Sequence, residues 1–231
     1  MKRRSVQYIA GLVLLILAGV FFSRRGSLTS APDARAKTPK GVVVLDAGHG
    51  GKDPGKVGVG GQLEKDINLQ IVLRIKRYLE MNDIQVILTR ESDDGLYRLS
   101  DSNKKSADMR RRIEIINEVM PDVMVSIHQN SYHESEIRGA QVFYYQNSEK
   151  GKAFAQIMQK RFDFVLGEEN RRAAKANSSY YLLTHSKPVS IIVEAGFLSN
   201  SREAALLETE EYQDRIAWTV AMGILQYLSQ L

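Results

Sequence analysis

The sequence VVVLDAGHGG, residues 42–51, decides the fold, because a short β-branched run leads directly into glycines and a histidine. Similar apolar runs recur at 84–89, 122–127 and 189–194, and segments with helical spacing lie between them. With the first strand at 42–46, this alternation is typical of proteins in which helices join parallel strands. We therefore expect a single layered α/β domain with a mostly parallel, twisted sheet flanked by helices.

Helices are predicted wherever apolar residues recur at helical spacing, which they do at 67–79, 154–165 and 212–227. Asn200 and Glu203 have the spacing of a capping box at a helix start. Residues 139–145 are expected to form an extra strand at an edge of the sheet.

The composition excludes several classes of function. Residues 1–40 contain eight Lys and Arg against one Asp, whereas residues 41–231 contain 24 Lys and Arg against 26 Asp and Glu. A folded body without excess positive charge does not favour nucleic acid as a partner. The chain has no cysteine, so a metal ion has to be held by histidines and carboxylates.

The N-terminal segment has the pattern of an export signal. An uncharged apolar run at 8–22 follows three basic residues, and two arginines come directly after it. Residues 1–25 are therefore predicted to be a signal anchor or a signal peptide, and the arginines favour an uncleaved anchor. Residues 26–40 are polar and contain two prolines, which is typical of a tether. We expect 41–231 to be an extracytoplasmic catalytic domain, either membrane-anchored or secreted.

Two histidines are expected at one edge of the sheet, because His49 and His128 follow neighbouring strands where those strands end. The stretch 48–61 contains seven of the 17 glycines and leads to Glu64 at the start of the first helix. Together the three side chains form the His₂Glu pattern of zinc hydrolases, which leaves one position for water. The alternatives are histidines with structural hydrogen bonds and an acid placed at a helix N-terminus.

The same glycine-rich stretch also fits most of a phosphate-binding loop at 50–57. The chemistry argues against that interpretation. Val57 stands where a hydroxyl would hold magnesium, Pro54 has no N–H to donate, and Asp53 would repel phosphate. A metal-binding loop therefore explains the stretch better than a nucleotide-binding loop.

Glu194 ends an otherwise apolar strand, so its carboxylate needs a partner. That partner is either an arginine such as Arg90 or a metal-bound water, and Arg90 is alternatively available for a substrate carboxylate. The polar segment 91–105 is predicted to be a long, mobile loop over one end of the sheet. His133 and His185 are predicted to lie in loops with local hydrogen bonds.

Residues 41–231 resemble the zinc-dependent N-acetylmuramoyl-L-alanine amidases over nearly their whole length, through five motifs: DAGHGGKDPG at 46–55, Glu64, LTR at 88–90, SIHQN at 126–130 and VEAGFLSN at 193–200. The resemblance implies that His49, Glu64 and His128 bind one Zn²⁺ ion per chain. It also implies that Glu194 is the catalytic glutamate. Candidate substrate-binding residues are Arg90, Asn130 and Arg171.

The implied activity is hydrolysis of the amide between the lactyl group of N-acetylmuramic acid and L-alanine in peptidoglycan. A short anchor with a bare catalytic domain is most similar to the germination-specific, spore-cortex amidases of the family, which would place the protein between the spore membranes. The family commonly has Arg-Gly where this chain has Arg171-Arg172, and a small residue at Gln129. These departures concern substrate detail and leave the reaction type unchanged.

Two other functions remain open from the sequence. One is a membrane-tethered wall-binding protein without catalysis, and the other is a zinc carboxypeptidase that acts on stem peptides. The many glycines near the ligands raise the entropic cost of assembling the metal loop. We therefore also hypothesise that either the substrate or an accessory protein orders this loop.

Overall fold

A six-stranded sheet forms the centre of the protein in the computed structural model, which describes residues 38–167 and 170–231. The strands are β1 (Val42–Ala47), β2 (Gln85–Leu88), β3 (Val123–Asn130), β4 (Gln141–Tyr145), β5 (Lys175–Asn177) and β6 (Val189–Phe197). The helices are α1 (Glu64–Glu80), α2 (Lys104–Val119), α3 (Glu149–Leu166), α4 (Tyr181–His185), α5 (Ser201–Leu207) and α6 (Glu210–Leu228). The expected single α/β domain is confirmed.

The strands lie in the order β2-β1-β3-β6-β4-β5. All neighbours pair in parallel except β4, which runs antiparallel to β6. The predicted strand at 139–145 therefore exists, but its expected place at the edge is wrong because the three-residue β5 covers it. The long apolar strands β1, β3 and β6 lie at the centre, as expected for parallel strands buried on both faces.

Helices cover both faces of the sheet. Alternate residues of β1 show this, since Val43 and Leu45 pack with α1, α3 and α6, whereas Val44 packs with α2 and α4 on the other face. The predicted inner stripe of α6 is buried, whereas α3 buries Phe162 and leaves Arg161 half-buried. These layers leave the carboxyl ends of β1, β3 and β6 open at one edge.

The helix starts follow ordinary capping chemistry. Asn103, Ser148 and Thr209 each accept a hydrogen bond from the backbone N–H three residues later. Asn200 does the same for α5, but Glu203 does not complete the predicted capping box. Its carboxylate instead accepts hydrogen bonds from the backbone N–H groups of Gly139 and Phe197, which fastens the end of β6 to the start of β4.

The predicted signal segment at 1–25, and nearly all of the predicted tether at 26–40, lie outside the described residues. Among the helices that the structure describes, none combines the length and the apolar character that crossing a bilayer requires.

Candidate metal centre

Three elements bring His49, Glu64 and His128 together. His49 lies two residues after β1, Glu64 begins α1, and His128 is the third residue from the end of β3. His49 Nε2 is 3.2 Å from Glu64 Oε2, and His128 Nδ1 is 2.9 Å from Glu64 Oε1. One potential ligand atom from each residue lies within 4.8 Å of the other two. The predicted set is thus assembled at one edge of the sheet.

Two glycines make this close approach possible. A Cβ on Gly48 would overlap the imidazole ring of His128, and a Cβ on Gly55, whose φ is +70°, would overlap the Glu64 carboxylate and the His49 ring. His49 itself has a φ of 64°, in the left-handed region that side chains rarely adopt. The glycine-rich sequence therefore serves to let three side chains converge.

Neighbouring polar groups fix the orientation of the candidate ligands. Asp53 Oδ2 lies 2.9 Å from His49 Nδ1, the carboxylate–histidine arrangement that commonly orients a metal ligand. The carboxylate of Glu64 accepts hydrogen bonds from the backbone N–H of Lys56 (2.7 Å) and of Gln129 (3.1 Å). These contacts hold the carboxylate between the two rings.

The electrostatics favour a charged carboxylate at this point. Burial alone would raise the pKa of Glu64, but the hydrogen bonds and charges of His128 and His49 outweigh it and hold the pKa well below its usual range. Burial opposes the charged form of His128, yet Glu64 raises the pKa of His128 to about 9. Two nitrogen donors and a carboxylate form a donor set that fits a divalent metal ion of the zinc type.

Glu194 stands beside this cluster on the neighbouring strand. It is paired with His128 in the β3–β6 register and is 8% exposed. Its Oε2 atom is buried and has no hydrogen-bond partner among the described residues. Burial raises the pKa of Glu194 to about 7, although the two histidines and a hydrogen bond with Tyr180 oppose the rise. A buried carboxylate with an unpartnered oxygen is poised to take up or release a proton near neutral pH.

The structure corrects both expectations for Arg90. Its guanidinium donates to four backbone carbonyl oxygens, of Ala47, Gly48, Ser92 and Lys65, at 2.7–3.2 Å. It is 4% exposed, so neither Glu194 nor a substrate carboxylate is its partner. Arg90 instead ties the ends of the metal loop to the segment after β2.

Sequence reasoning missed a buried ion pair beneath the cluster. Arg112 of α2 lies 2.6 Å from both Asp46 and Asp108, and it donates to the carbonyl oxygens of Ala47 and His49. Burial would raise the pKa of Asp46, but Arg112 and two hydroxyl donors lower it to about 2. The sequence feature that could have indicated this ion pair is the charged Asp46 inside an apolar strand, since a buried carboxylate needs a cation.

A groove of about 410 Å³ opens over the two histidines and Glu194. Its rim includes Tyr97 and Lys104, so the segment predicted to be a mobile loop at 91–105 forms one wall. This loop is attached to the metal loop, because Tyr97 accepts a hydrogen bond from Lys52 N–H and Asp93 accepts one from Gly51 N–H. Tyr180 also lines this groove.

The remaining predicted residues lie outside this groove. Asn130 lines a second cavity farther along the sheet, together with Arg172 and not with the exposed Arg171. His133 is exposed and lies 3.4 Å from Glu134. His185 ends α4, where the sequence predicted a loop, and its Nδ1 lies 2.9 Å from the carbonyl oxygen of Tyr181.

These features define a class, that of α/β proteins with a candidate three-ligand metal centre and a neighbouring buried glutamate at the carboxyl edge of a mainly parallel sheet. Residues 43–226 match the sequence profile of the N-acetylmuramoyl-L-alanine amidases. The chain therefore belongs to the N-acetylmuramoyl-L-alanine amidase family, and the resemblance inferred from its motifs is confirmed.

Individual relatives agree with this assignment. The chain is 37% identical to the germination-specific N-acetylmuramoyl-L-alanine amidase of Bacillus subtilis over 192 residues, which are 82% of this chain and 80% of that protein. The CwlD amidase of Clostridioides difficile, solved in complex with the GerS lipoprotein, has a TM-score of 0.80 and 38% identity and covers 83% of this chain and 100% of its own. The catalytic domain of the amidase CwlV of Bacillus (Paenibacillus) polymyxa has a TM-score of 0.71 and 33% identity, covering 81% of this chain and 98% of its own.

Proposed function

We propose that the chain is a zinc-dependent amidase that cleaves the bond between the lactyl group of N-acetylmuramic acid and L-alanine in peptidoglycan. His49, Glu64 and His128 would hold one Zn²⁺ ion, and Glu194 would handle the proton. The observation that carries the proposal is the pairing of His128 with Glu194 across neighbouring strands, which places a buried carboxylate beside the candidate ligands, with one oxygen that has no hydrogen-bond partner among the described residues.

The reaction needs one proton to move from water to the leaving nitrogen. Bound zinc would supply Lewis acidity, which activates water and polarises an amide carbonyl. Glu194 takes a proton from water as the oxygen attacks the carbonyl carbon. It then delivers that proton to the alanine nitrogen as the C–N bond breaks, which leaves a lactyl carboxyl group and a free amino terminus.

The setting of the reaction rests on the relatives. A germination-specific amidase and the CwlD amidase are among them, which supports a role at the spore cortex and an extracytoplasmic location. We propose that 1–25 anchor the protein or direct its export, that 26–40 form a tether, and that 41–231 are the catalytic domain. Because the CwlD amidase was solved with a lipoprotein, we also propose an accessory protein that orders the loop 48–61.

The test is digestion of purified cell wall in the presence of zinc, followed by mass spectrometry of the products. An amidase releases intact stem peptides with a free alanine amino group, a carboxypeptidase shortens the stems, and a binding protein releases nothing. We expect the first outcome. Either of the other two would refute the proposed reaction.

Three variants separate proton transfer from metal binding. Glu194→Gln should retain zinc and the melting temperature but lose turnover by roughly 10²–10⁴-fold. His128→Ala should lose zinc and activity together, because two ligands hold the ion poorly. Glu118→Gln, at an exposed position of α2, is the matched control and should behave like the wild type. Near wild-type turnover by Glu194→Gln would refute the assignment of Glu194.

A further inference from the structure

We propose that Arg172 and Lys175 form a subsite for a free carboxylate on the stem peptide, close to the scissile amide. The two residues line a cavity of about 430 Å³ whose walls include Phe143 and Phe197. The proposal rests on the proposed amidase reaction and adds the charge that its substrate carries. It also assigns a direction in which the substrate lies across the sheet.

The position of the cavity follows from the strand register. Gln141 of β4 pairs with Glu194 of β6, and Phe143 pairs with Ile192. Directly paired residues of antiparallel strands project from the same face, with Cα atoms about 5 Å apart. The cavity therefore lies beside the catalytic groove on the same face of the sheet. An extended peptide spans the separation of one such pair with about two residues.

The guanidinium of Arg172 is held in place but not fully used. Nη2 donates to Gln141 Oε1 at 2.7 Å, and the guanidinium carbon lies 5.3 Å from the centre of the Phe197 ring. Gln141 is fixed in turn by donating to the carbonyl oxygen of Ala173. Nε is buried and has no hydrogen-bond partner among the described residues. An oriented guanidinium with a remaining donor is suited to bind a carboxylate.

The charge of this cavity also distinguishes it from the catalytic groove. Within the described residues, no carboxylate lies within 4 Å of Arg172 or Lys175, and the one acid of the lining, Glu134, lies beside His133. The catalytic groove differs because its lining contains four Asp and Glu side chains against four Lys and Arg, in addition to the two histidines. An excess of positive charge in a partly enclosed cavity attracts an anion.

The chemistry of the substrate identifies that anion. The lactyl carboxyl group is consumed in the scissile amide, and the N-acetylated sugars are neutral. The free carboxylates of the substrate therefore lie on its peptide. A carboxylate-binding subsite at Arg172 places the peptide toward β4 and β5, and leaves the catalytic groove beside Tyr97 for the glycan.

The experiment compares two soluble muramoyl peptides of equal length, one with free carboxylates and one with the same groups converted to carboxamides. The wild-type protein should cleave the carboxylate substrate with a kcat/KM about 10- to 100-fold higher, the range of a charge-assisted hydrogen bond. Arg172→Gln should lose this preference, because kcat/KM should fall more on the carboxylate substrate than on the carboxamide. Lys175→Gln, at an exposed position, should reduce the preference without affecting folding.

Lys150→Gln is the matched control, since Lys150 is an exposed basic residue of α3 and lines neither cavity. It should retain the full preference, and Arg172→Lys should retain part of it. Equal cleavage of both substrates by the wild type would overturn the subsite, as would an equal loss on both substrates in Arg172→Gln. A wild-type chain that cleaves neither substrate at the lactyl amide overturns the proposed function, and this inference with it.

Discussion

Replacing Arg112 with methionine is expected to lower the free energy of unfolding by about 3–5 kcal/mol. The guanidinium is 1% exposed and donates to two carboxylates and two backbone carbonyl oxygens, all within 2.7 Å. Without it, Asp46 remains fully buried with only hydroxyl donors, and an uncompensated buried charge accounts for most of the loss. Because whole domains are stable by only about 5–15 kcal/mol, the effect is readily measured.

Two further variants show whether the loss comes from the charge pair. Asp46→Asn combined with Arg112→Met removes both charges, so the double variant should be more stable than Arg112→Met alone. Arg111→Met is the control, because Arg111 also pairs with an aspartate, Asp101, but both side chains of this pair are partly exposed. Its loss should be far smaller than that of Arg112→Met.

The assay is urea unfolding of all variants. Their free energies of unfolding are compared where the slope of that free energy against urea concentration is the same as in the wild type. Zinc titration adds a second measurement, since Arg112 holds the carbonyl oxygen of His49, and its loss should weaken metal binding as well. The reasoning is refuted if Arg112→Met is no less stable than Arg111→Met. It is also refuted if the losses of stability in Arg112→Met and in Asp46→Asn simply add in the double variant.

Three other outcomes are expected. Gly48→Ala should fold but lose zinc, measured as metal content, because the new methyl group displaces the His128 ring; zinc bound at wild-type affinity would contradict this. The pKa of Asp46, held near 2 against a usual 3.8, contributes roughly 2 kcal/mol of stability that is present above about pH 4 and lost as the pH falls toward 2. Asp46→Asn should therefore show a flatter dependence of the urea midpoint on pH below 4, and an unchanged slope would count against it. A chain that starts at residue 40 should be soluble and should not pellet with membranes at moderate salt, whereas pelleting would contradict the predicted anchor.

The sequence was sufficient to predict the sheet and the placement of the candidate ligands. His49 and His128 were located because strand ends follow from short apolar runs, and parallel strands end at a common edge. Glu64 was located because it follows the glycine-rich stretch 48–61 and stands at the start of the first predicted helix. The strand β5 was missed because three residues are too short to show a periodic pattern.

The roles of the arginines were not predictable in the same way. Arg110, Arg111 and Arg112 are adjacent in the sequence, and only the rotational phase of α2 decides which one is buried against Asp46. Arg90 was correctly singled out at a strand end, but its partners are backbone carbonyl oxygens, which leave no trace in the sequence. The choice between Arg171 and Arg172 likewise depends on which side chain faces Gln141.

The order of the strands has a consequence for the growing polypeptide. Strand β6 is the last to be synthesised, yet it lies between β3 and β4 near the middle of the sheet. A nascent chain shorter than about 197 residues therefore cannot assemble the sheet in its native order, even though the segments with His49, Glu64 and His128 are already complete. Because Glu194 arrives with that closing strand, its pairing with His128 forms only when nearly the whole polypeptide has emerged.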